Sequence, residues 1–435
     1  MKNFRIIYRL AGMLSAMGFV ILPSFGQSDR LLEQYRKEAI AHEQQVKMAE
    51  NEVKMADEAY RITISNMLPQ VTASGDATYV QHPAQLTLPE GMGDLSGQVI
   101  QGAANYQYGA YADARQSIYH GHGQQNQKKK AMVNKAIAED QFSLTKTEVT
   151  LATDMLYWRT VAQREVYHAM VDYRDGMREI TEVVRSRVEA GNSLRNDLLM
   201  AQVRLNKAEL AVVQAENNYN VTKMSLNRVL GRPLNDTTII SDSLSVKEEY
   251  DNLNEATVRA EMLIAEKQIS LAEFELKIVN GKYGLKLDAT MLGMYSSPGY
   301  NFAPGAVPNY RAGFTFSMPL YWGSMRKREN QLAKLEIQNA QLAYERTAEL
   351  MNLQQEQQFL AWRNSLQETD LAGQSVAKAK ENADLMNDQY EEGMVSVLEV
   401  VDAQLYYEDA LVDFIKTKLK AKVEYTHYIR AIGLI

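Results

Sequence analysis

Residues 191–202 read Gly-Asn-Ser-Leu-Arg-Asn-Asp-Leu-Leu-Met-Ala-Gln, and residues 393–404 read Gly-Met-Val-Ser-Val-Leu-Glu-Val-Val-Asp-Ala-Gln. The two stretches share glycine, alanine and glutamine at one offset of 202, from Gly191 to Gly393. Working outward, the same offset relates Tyr119 to Tyr321, Gly121 to Gly323, Ala208 to Ala410, Arg228 to Arg430 and Gly231 to Gly433. The register holds without a gap from Tyr119 to Gly231. A fixed-offset repeat constrains architecture before any local assignment does. Two copies are too few for a solenoid, whose units lean only on their neighbours. A duplicated half made mostly of long helix suggests a protomer contributing to a larger ring.

The helices carry the strongest signal. Residues 121–190 contain no proline. Phe142, Val149, Leu156, Met170, Met177 and Val184 fall on one seven-residue register, broken only at Gln163. Leu198, Leu205, Val212, Tyr219 and Leu226 keep that spacing, as do their repeat partners Val400, Tyr407, Phe414, Ala421 and Tyr428. A sustained seven-residue repeat predicts helices packed as coiled coils. At 1.5 Å per residue, a helix over 121–190 reaches roughly 105 Å, and helices near 31–66 and 195–230 reach about 54 Å each. One long helix beside two stacked short ones makes a column of constant length. The second half repeats this, with 323–392 against 254–281 plus 395–432. Residues 232–253 would connect the halves at mid-column.

Each half also predicts two strands. Val71, Ala73, Gly75, Ala77 and Tyr79 alternate with Thr72, Ser74, Asp76 and Thr78, and Pro69 stops the helix before them. After a Gly- and Pro-containing loop over 81–104, Tyr106, Tyr108, Ala110, Ala112 and Ala114 alternate with Gln107, Asp113 and Arg115. In the second half Leu285, Leu287, Ala289 and Met291 form one phase, and Tyr310, Ala312, Phe314, Phe316 and Met318 form the other strand's apolar phase. Segments of about 10 residues suit tilted membrane strands, and tyrosines near their ends suit interfacial girdles. A half-buried sheet in a soluble domain is the competing reading.

Residues 1–26 read as a secretory signal, with Lys2, Arg5 and Arg9 before an apolar run and small Ser24 and Gly26 at the cut. A membrane anchor is the alternative, but the apolar run is short for a span. Loss of those three cations takes the net charge from −7 to −10, a balance that argues against nucleic acid as partner. There is no cysteine, so neither a disulfide framework nor a cysteine-linked lipid is available. No later run is apolar enough for a membrane helix, so a mature chain that spans a membrane must do so as a closed β-barrel.

On these residues the chain resembles the TolC-like outer-membrane efflux proteins over nearly all of 30–433. The most specific stretches are 191–202 running to Leu230–Gly231, and Tyr390-Glu-Glu-Gly-Met-Val-Ser running to Ile432–Gly433. The resemblance implies a mainly α protomer with domains at 27–231 and 254–435, joined by 232–253. Three copies would supply a 12-stranded outer-membrane barrel and a periplasmic α-barrel. It implies a passive exit duct of a tripartite efflux or type I secretion system. The partners would be a periplasmic adaptor (membrane fusion protein), an inner-membrane RND or ABC transporter, and outer-membrane lipid, with no cofactor.

The resemblance also implies site residues. Adaptor docking falls on Gly191, Asn192, Ser193 and Leu194 and on Gly393, Met394, Val395 and Ser396. Glu399 and Asp402, three apart on one helix face, match acids lining the closed mouth. A solvated acidic helix start is the plainer reading of those two. Asp197 and Tyr390 match a pair that ties neighbouring helices. Val395 stands where the family often has arginine, so one closing bond is missing. His120 and His122 are too few ligands for a metal site, and the 21 methionines suit coiled-coil gaps. No nucleophile–base set, phosphate loop or paired-carboxylate cleft is present, so no enzyme is expected. A periplasmic coiled-coil scaffold or adaptor is the rival, but it would have one hairpin rather than two.

Overall fold

The structure is a computed structural model that describes residues 27–91, 93–95, 97–240, 242–244, 258–300 and 305–434. The signal segment 1–26 and much of the 232–253 connection lie outside the described residues.

Two 67-residue helices set the length, α3 (Gly123–Glu189) and α6 (Met325–Glu391). At 1.5 Å per residue each is about 100 Å long. Beside α3 lie α2 (Gln44–Ser65) and α4 (Arg195–Leu230), of 22 and 36 residues. Beside α6 lie α5 (Ala260–Lys282) and α7 (Val397–Ala431), of 23 and 35 residues. The short helices thus match across the halves, as the repeat requires. Towards the sheet the wall runs α2–α3–α5–α6, and away from it α4–α3–α7–α6. The seven-residue register describes the packing. Val149, Met170, Met177, Val184, Val212, Leu226, Val400, Ala421 and Tyr428 are all buried.

Both hairpins end the same way. Gly191 and Gly393 have φ of 77° and 79°, a conformation that costs glycine least. The Asn192 N–H donates to the Arg187 carbonyl at 2.7 Å, and the Met394 N–H to the Gln389 carbonyl at 2.8 Å.

The first predicted helix is in fact two, α1 (Gln27–His42) and α2, parted at Glu43 with ψ of 128°. The cause is the arriving end of α4. Arg228 reaches Glu43 at 3.3 Å, and a Cβ on Gly231 would strike the His42 ring. The second half makes the corresponding joint, where Arg430 reaches Glu261 at 2.6 Å and Arg259 reaches it at 2.7 Å. These arginine–glutamate clasps fix where each pair of short helices meets. α1 is tied to α3 by a bidentate Arg36–Asp154 pair at 2.6 and 2.7 Å. The described part of the connection packs on the same region. Tyr35 donates to the Ile239 carbonyl at 2.8 Å, Tyr157 donates to Asp242, and Arg232 pairs with Glu38 at 2.7 Å.

The main sheet orders β1 (Gln70–Tyr79), β4 (Tyr106–His120), β5 (Lys286–Ser297) and β6 (Val307–Ser317), all antiparallel. The loop predicted over 81–104 holds a small hairpin of β2 (Gln85–Thr87) and β3 (Val99–Gly102). β4 and β5 run further than alternation alone suggested, and β4 carries a bulge between Ser117 and Tyr119. Cross-strand rows keep the two phases apart. Val71, Ala114, Met291 and Ala312 form one row, and Ala73, Ala112, Gly293 and Tyr310 the next. Between them runs Thr72, Asp113, Leu292 and Arg311 on the other face. Strand and helix meet at glycines. A Cβ on Gly121 would lie 2.6 Å from the Gly281 carbonyl oxygen, so only glycine lets α3 and α5 approach there.

Burial alone would raise the Glu261 carboxyl, but hydrogen bonds from Arg259 and Arg430 outweigh it and hold it down to about 2. Its folded value lies below the ordinary 4.5, so its contribution is complete above that pH and lost as the pH falls toward 2. The melting-temperature gap between wild type and Glu261→Gln is expected to be widest above pH 4.5 and to close toward pH 2. A gap that stays constant over that range would contradict the clasp.

Candidate functional site

Two regions bear on function, the far ends of the hairpins and the charged face of the sheet. At the hairpin ends, four helix termini share one apolar cluster. Met177, Ile180 and Val184 from α3, Ala201 and Ala208 from α4, Tyr390 from α6, and Val397, Val400 and Val401 from α7 pack together. The hairpins are therefore not independent tips. They meet in a buried core inside one protomer.

Two of the sequence-selected acids, Asp197 and Glu399, make local hydrogen bonds at the helix starts. Asp197 accepts from the Ser193 hydroxyl at 2.8 Å and from the Leu194 N–H at 3.1 Å. Its repeat partner Glu399 accepts from the Ser396 N–H at 2.7 Å and from the Ser396 hydroxyl at 2.8 Å. Both carboxylates cap the helix that follows their turn, because the first N–H groups of a helix have no partner within it. The Ser396 N–H, and then its hydroxyl, hold the Glu399 carboxyl below its ordinary range.

The expected Asp197–Tyr390 hydrogen bond is not made. Asp197 is occupied by its own cap, and the buried Tyr390 hydroxyl has no hydrogen-bond partner among the described residues. Burial pushes the Tyr390 phenol up. What touches Tyr390 instead is Arg187, whose guanidinium lies 4.3 Å from the ring centre. Arg187 also donates to the Glu391 carbonyl at 2.8 Å. A second tie joins Arg204 on α4 to Asp402 on α7 at 3.5 Å.

Sequence reasoning passed over both arginines. A signal was present in the repeat, where Arg187 faces Gln389 and Arg204 faces Tyr406 at the common offset. Cations on one hairpin alone are what a tie between unlike hairpins needs. Of the predicted docking positions, Ser193 and Ser396 are committed to caps, whereas Leu194 and Met394 are 72% and 69% exposed.

One face of the sheet carries its charged side chains, Asp113, Arg115 and Arg311, together with Tyr111, Leu292 and Met294. Asp113 and Arg115 pair at 2.7 Å, and His120 lies 2.9 Å from Asp288 where the strands meet the helices. His122 faces the Tyr119 hydroxyl at 3.2 Å. Among the described residues, no three His, Cys, Asp or Glu side chains gather where a metal ion could be held. No helix among them is long and apolar enough to cross a membrane.

The profile of the outer membrane efflux protein family matches residues 35–232 and 256–433. A comparison with curated proteins finds no match. Several solved structures share the fold. The Campylobacter jejuni CmeC outer membrane channel is 17% identical, with a TM-score of 0.73, over 93% of this chain and 85% of that one. The outer membrane protein VceC of Vibrio cholerae is 14% identical, with a TM-score of 0.72, over 93% and 96%. The open state of the Neisseria gonorrhoeae MtrE outer membrane channel is 16% identical, with a TM-score of 0.70, over 92% and 88%.

Proposed function

The chain belongs to the outer membrane efflux protein family, and on that footing we propose that it is the exit duct of a tripartite efflux or type I secretion system. The observation that carries this reading is the sheet. On β1, β4 and β6 an apolar phase alternates with a mostly polar one, and among the described residues the outer strands β1 and β6 pair on one side only. In hydrocarbon an open edge leaves N–H and C=O groups unsatisfied, so a spanning sheet must close. Joining β1 of one copy to β6 of the next closes it with three copies. Phe314, Phe316, Tyr108, Ala110 and Ala112 would then face lipid, and Asp113, Arg115 and Arg311 the lumen.

The helical wall also has edges that a further copy would cover. Its edge helices expose apolar stripes at seven-residue spacing: Met48, Met55 and Ile62 on α2, Val203 and Leu210 on α4, Leu335 and Leu342 on α6. A second copy of the chain would bury α6 against α2 and α4 as coiled coils. An inner-membrane RND or ABC transporter would drive cargo through a periplasmic adaptor docked on the turns at 191–194 and 393–396. Cargo choice would rest with that transporter.

The mouth reading changes with the geometry. Glu399 and Asp402 remain the proposed lining acids, giving six carboxylates near the axis of three copies and a preference for cations. The ties that hold the mouth shut are assigned to Arg187–Tyr390 and Arg204–Asp402 in place of Asp197–Tyr390.

Single cysteines along 310–318 are expected to alternate between lipid and water access, and Phe314→Arg to cost about 2–4 kcal/mol near mid-bilayer. Uniform access along the strand would rule out the barrel. At the mouth, Arg187→Ala with Arg204→Ala is expected to raise single-channel conductance in planar bilayers, and Asp402→Ala to weaken cation selectivity. Bulky replacements of Leu194 and Met394 should block export while leaving the assembly intact. Unchanged conductance, selectivity and export in these variants would remove the mouth assignment.

A further inference from the structure

The helix ends that meet the sheet are rich in lysine and arginine, and the acids beside them are Asp57, Glu58, Glu275 and Glu329. The helix ends cover residues 59–66, 121–135, 276–284 and 319–328, and none of these segments holds an aspartate or glutamate. Together they hold ten lysines and arginines, in a chain whose net charge is −7. Arg61, Lys130, Lys135 and Lys282 reach acids lying outside the segments. Lys128, Lys129, Arg326, Lys327 and Arg328 are exposed and make no ion pair among the described residues. The acids concentrate at the opposite end, at Asp388, Glu391, Glu392, Glu399 and Asp402.

Three of the unpaired cations, Arg326, Lys327 and Arg328, occupy an energetically poor place for the protomer alone. They fall in the first turn of α6, which has no acid, and cations at a helix start oppose the macrodipole. An anionic surface beside them would offset that cost. Immediately on the sheet side lies an apolar and aromatic band. Leu320 and Tyr321 are 89% and 85% exposed, and Trp322, Met318 and Tyr119 are exposed with them. An exposed aromatic band next to a row of free cations is the arrangement that suits a membrane interface and its phosphate layer. Arg326, Lys327 and Arg328 are consecutive on one helix and sweep about 200° around it, so they cannot all point into a tube.

We propose that this rim binds the phosphate headgroups of anionic phospholipids in the inner leaflet of the outer membrane, setting the depth at which the duct sits. The proposal rests on the duct reading above. Each cation held near an anionic surface is worth about five-fold in partitioning.

The test uses the full assembled protein in micelles containing equal phosphatidylglycerol and phosphatidylcholine, with the retained lipid measured after removal of excess. Phosphatidylglycerol should be enriched, the enrichment should fall with added salt, and it should drop by about tenfold or more when Lys128, Lys129, Arg326, Lys327 and Arg328 are all changed to Gln. Lys378→Gln with Lys380→Gln, toward the far end of α6, should leave it unchanged. If the five-site variant does not assemble, Arg326→Gln with Lys327→Gln gives the same reading at smaller amplitude. Equal retention of both lipids by the wild type, or full enrichment in the variants, would overturn the proposal. So would displacement by lipid A but not by phosphatidylglycerol, which would place the cations with the other leaflet. A protein that conducts as an assembly yet shows no lipid preference fails here alone. A protein that neither assembles nor conducts fails the duct reading itself.

Discussion

The unpaired backbone of two strands governs the rest of this molecule. Among the described residues, β1 and β6 each pair with a strand on one side only. In water such an edge is tolerable. In hydrocarbon each unsatisfied group costs several kcal/mol, far more than side-chain packing along the same strand returns. A four-stranded sheet is also too narrow to curl onto itself, since small barrels need about eight strands. In the proposed duct other copies close these edges, and the helices below close in the same symmetry. The exposed apolar stripes on α2, α4 and α6 are what that symmetry would bury.

The duplication then becomes a matter of length. Each half must fill one side of the same column, so each long helix must be matched by two short ones. The clasps Arg228–Glu43 and Arg430–Glu261 mark where the short helices meet. The two arginines are repeat partners, but their acids sit on unlike elements, one at the break after α1 and one in the first turn of α5. The joint was conserved in position while its surroundings diverged.

Much of this was legible before any coordinates. Periodicity of seven located α3, α4 and α7, and the 202-residue offset located α6, to within two residues, because packing fixed every seventh side chain over tens of residues. Alternation located β1 and β6 and separated Phe314 from Arg311. What was not legible came from contacts distant in sequence. The break at Glu43 is caused by α4, which is 185 residues away at Arg228. The extension of β4 to His120 follows from pairing with β5. At the mouth, an acid three residues into a helix reads equally as a gate or a cap, and the cap hydrogen bonds of Asp197 and Glu399 become visible only with the side chains in place. Arg187 and Arg204 carried no local pattern, and their partners lie on the other hairpin.

The account stands on copy number. The mass of the protein component in detergent, measured by light scattering with the detergent contribution subtracted, reports it directly. Three copies per particle are expected, since three four-stranded sheets and three helical walls close together. A stable particle of one or two copies that still forms a conducting pore would contradict it.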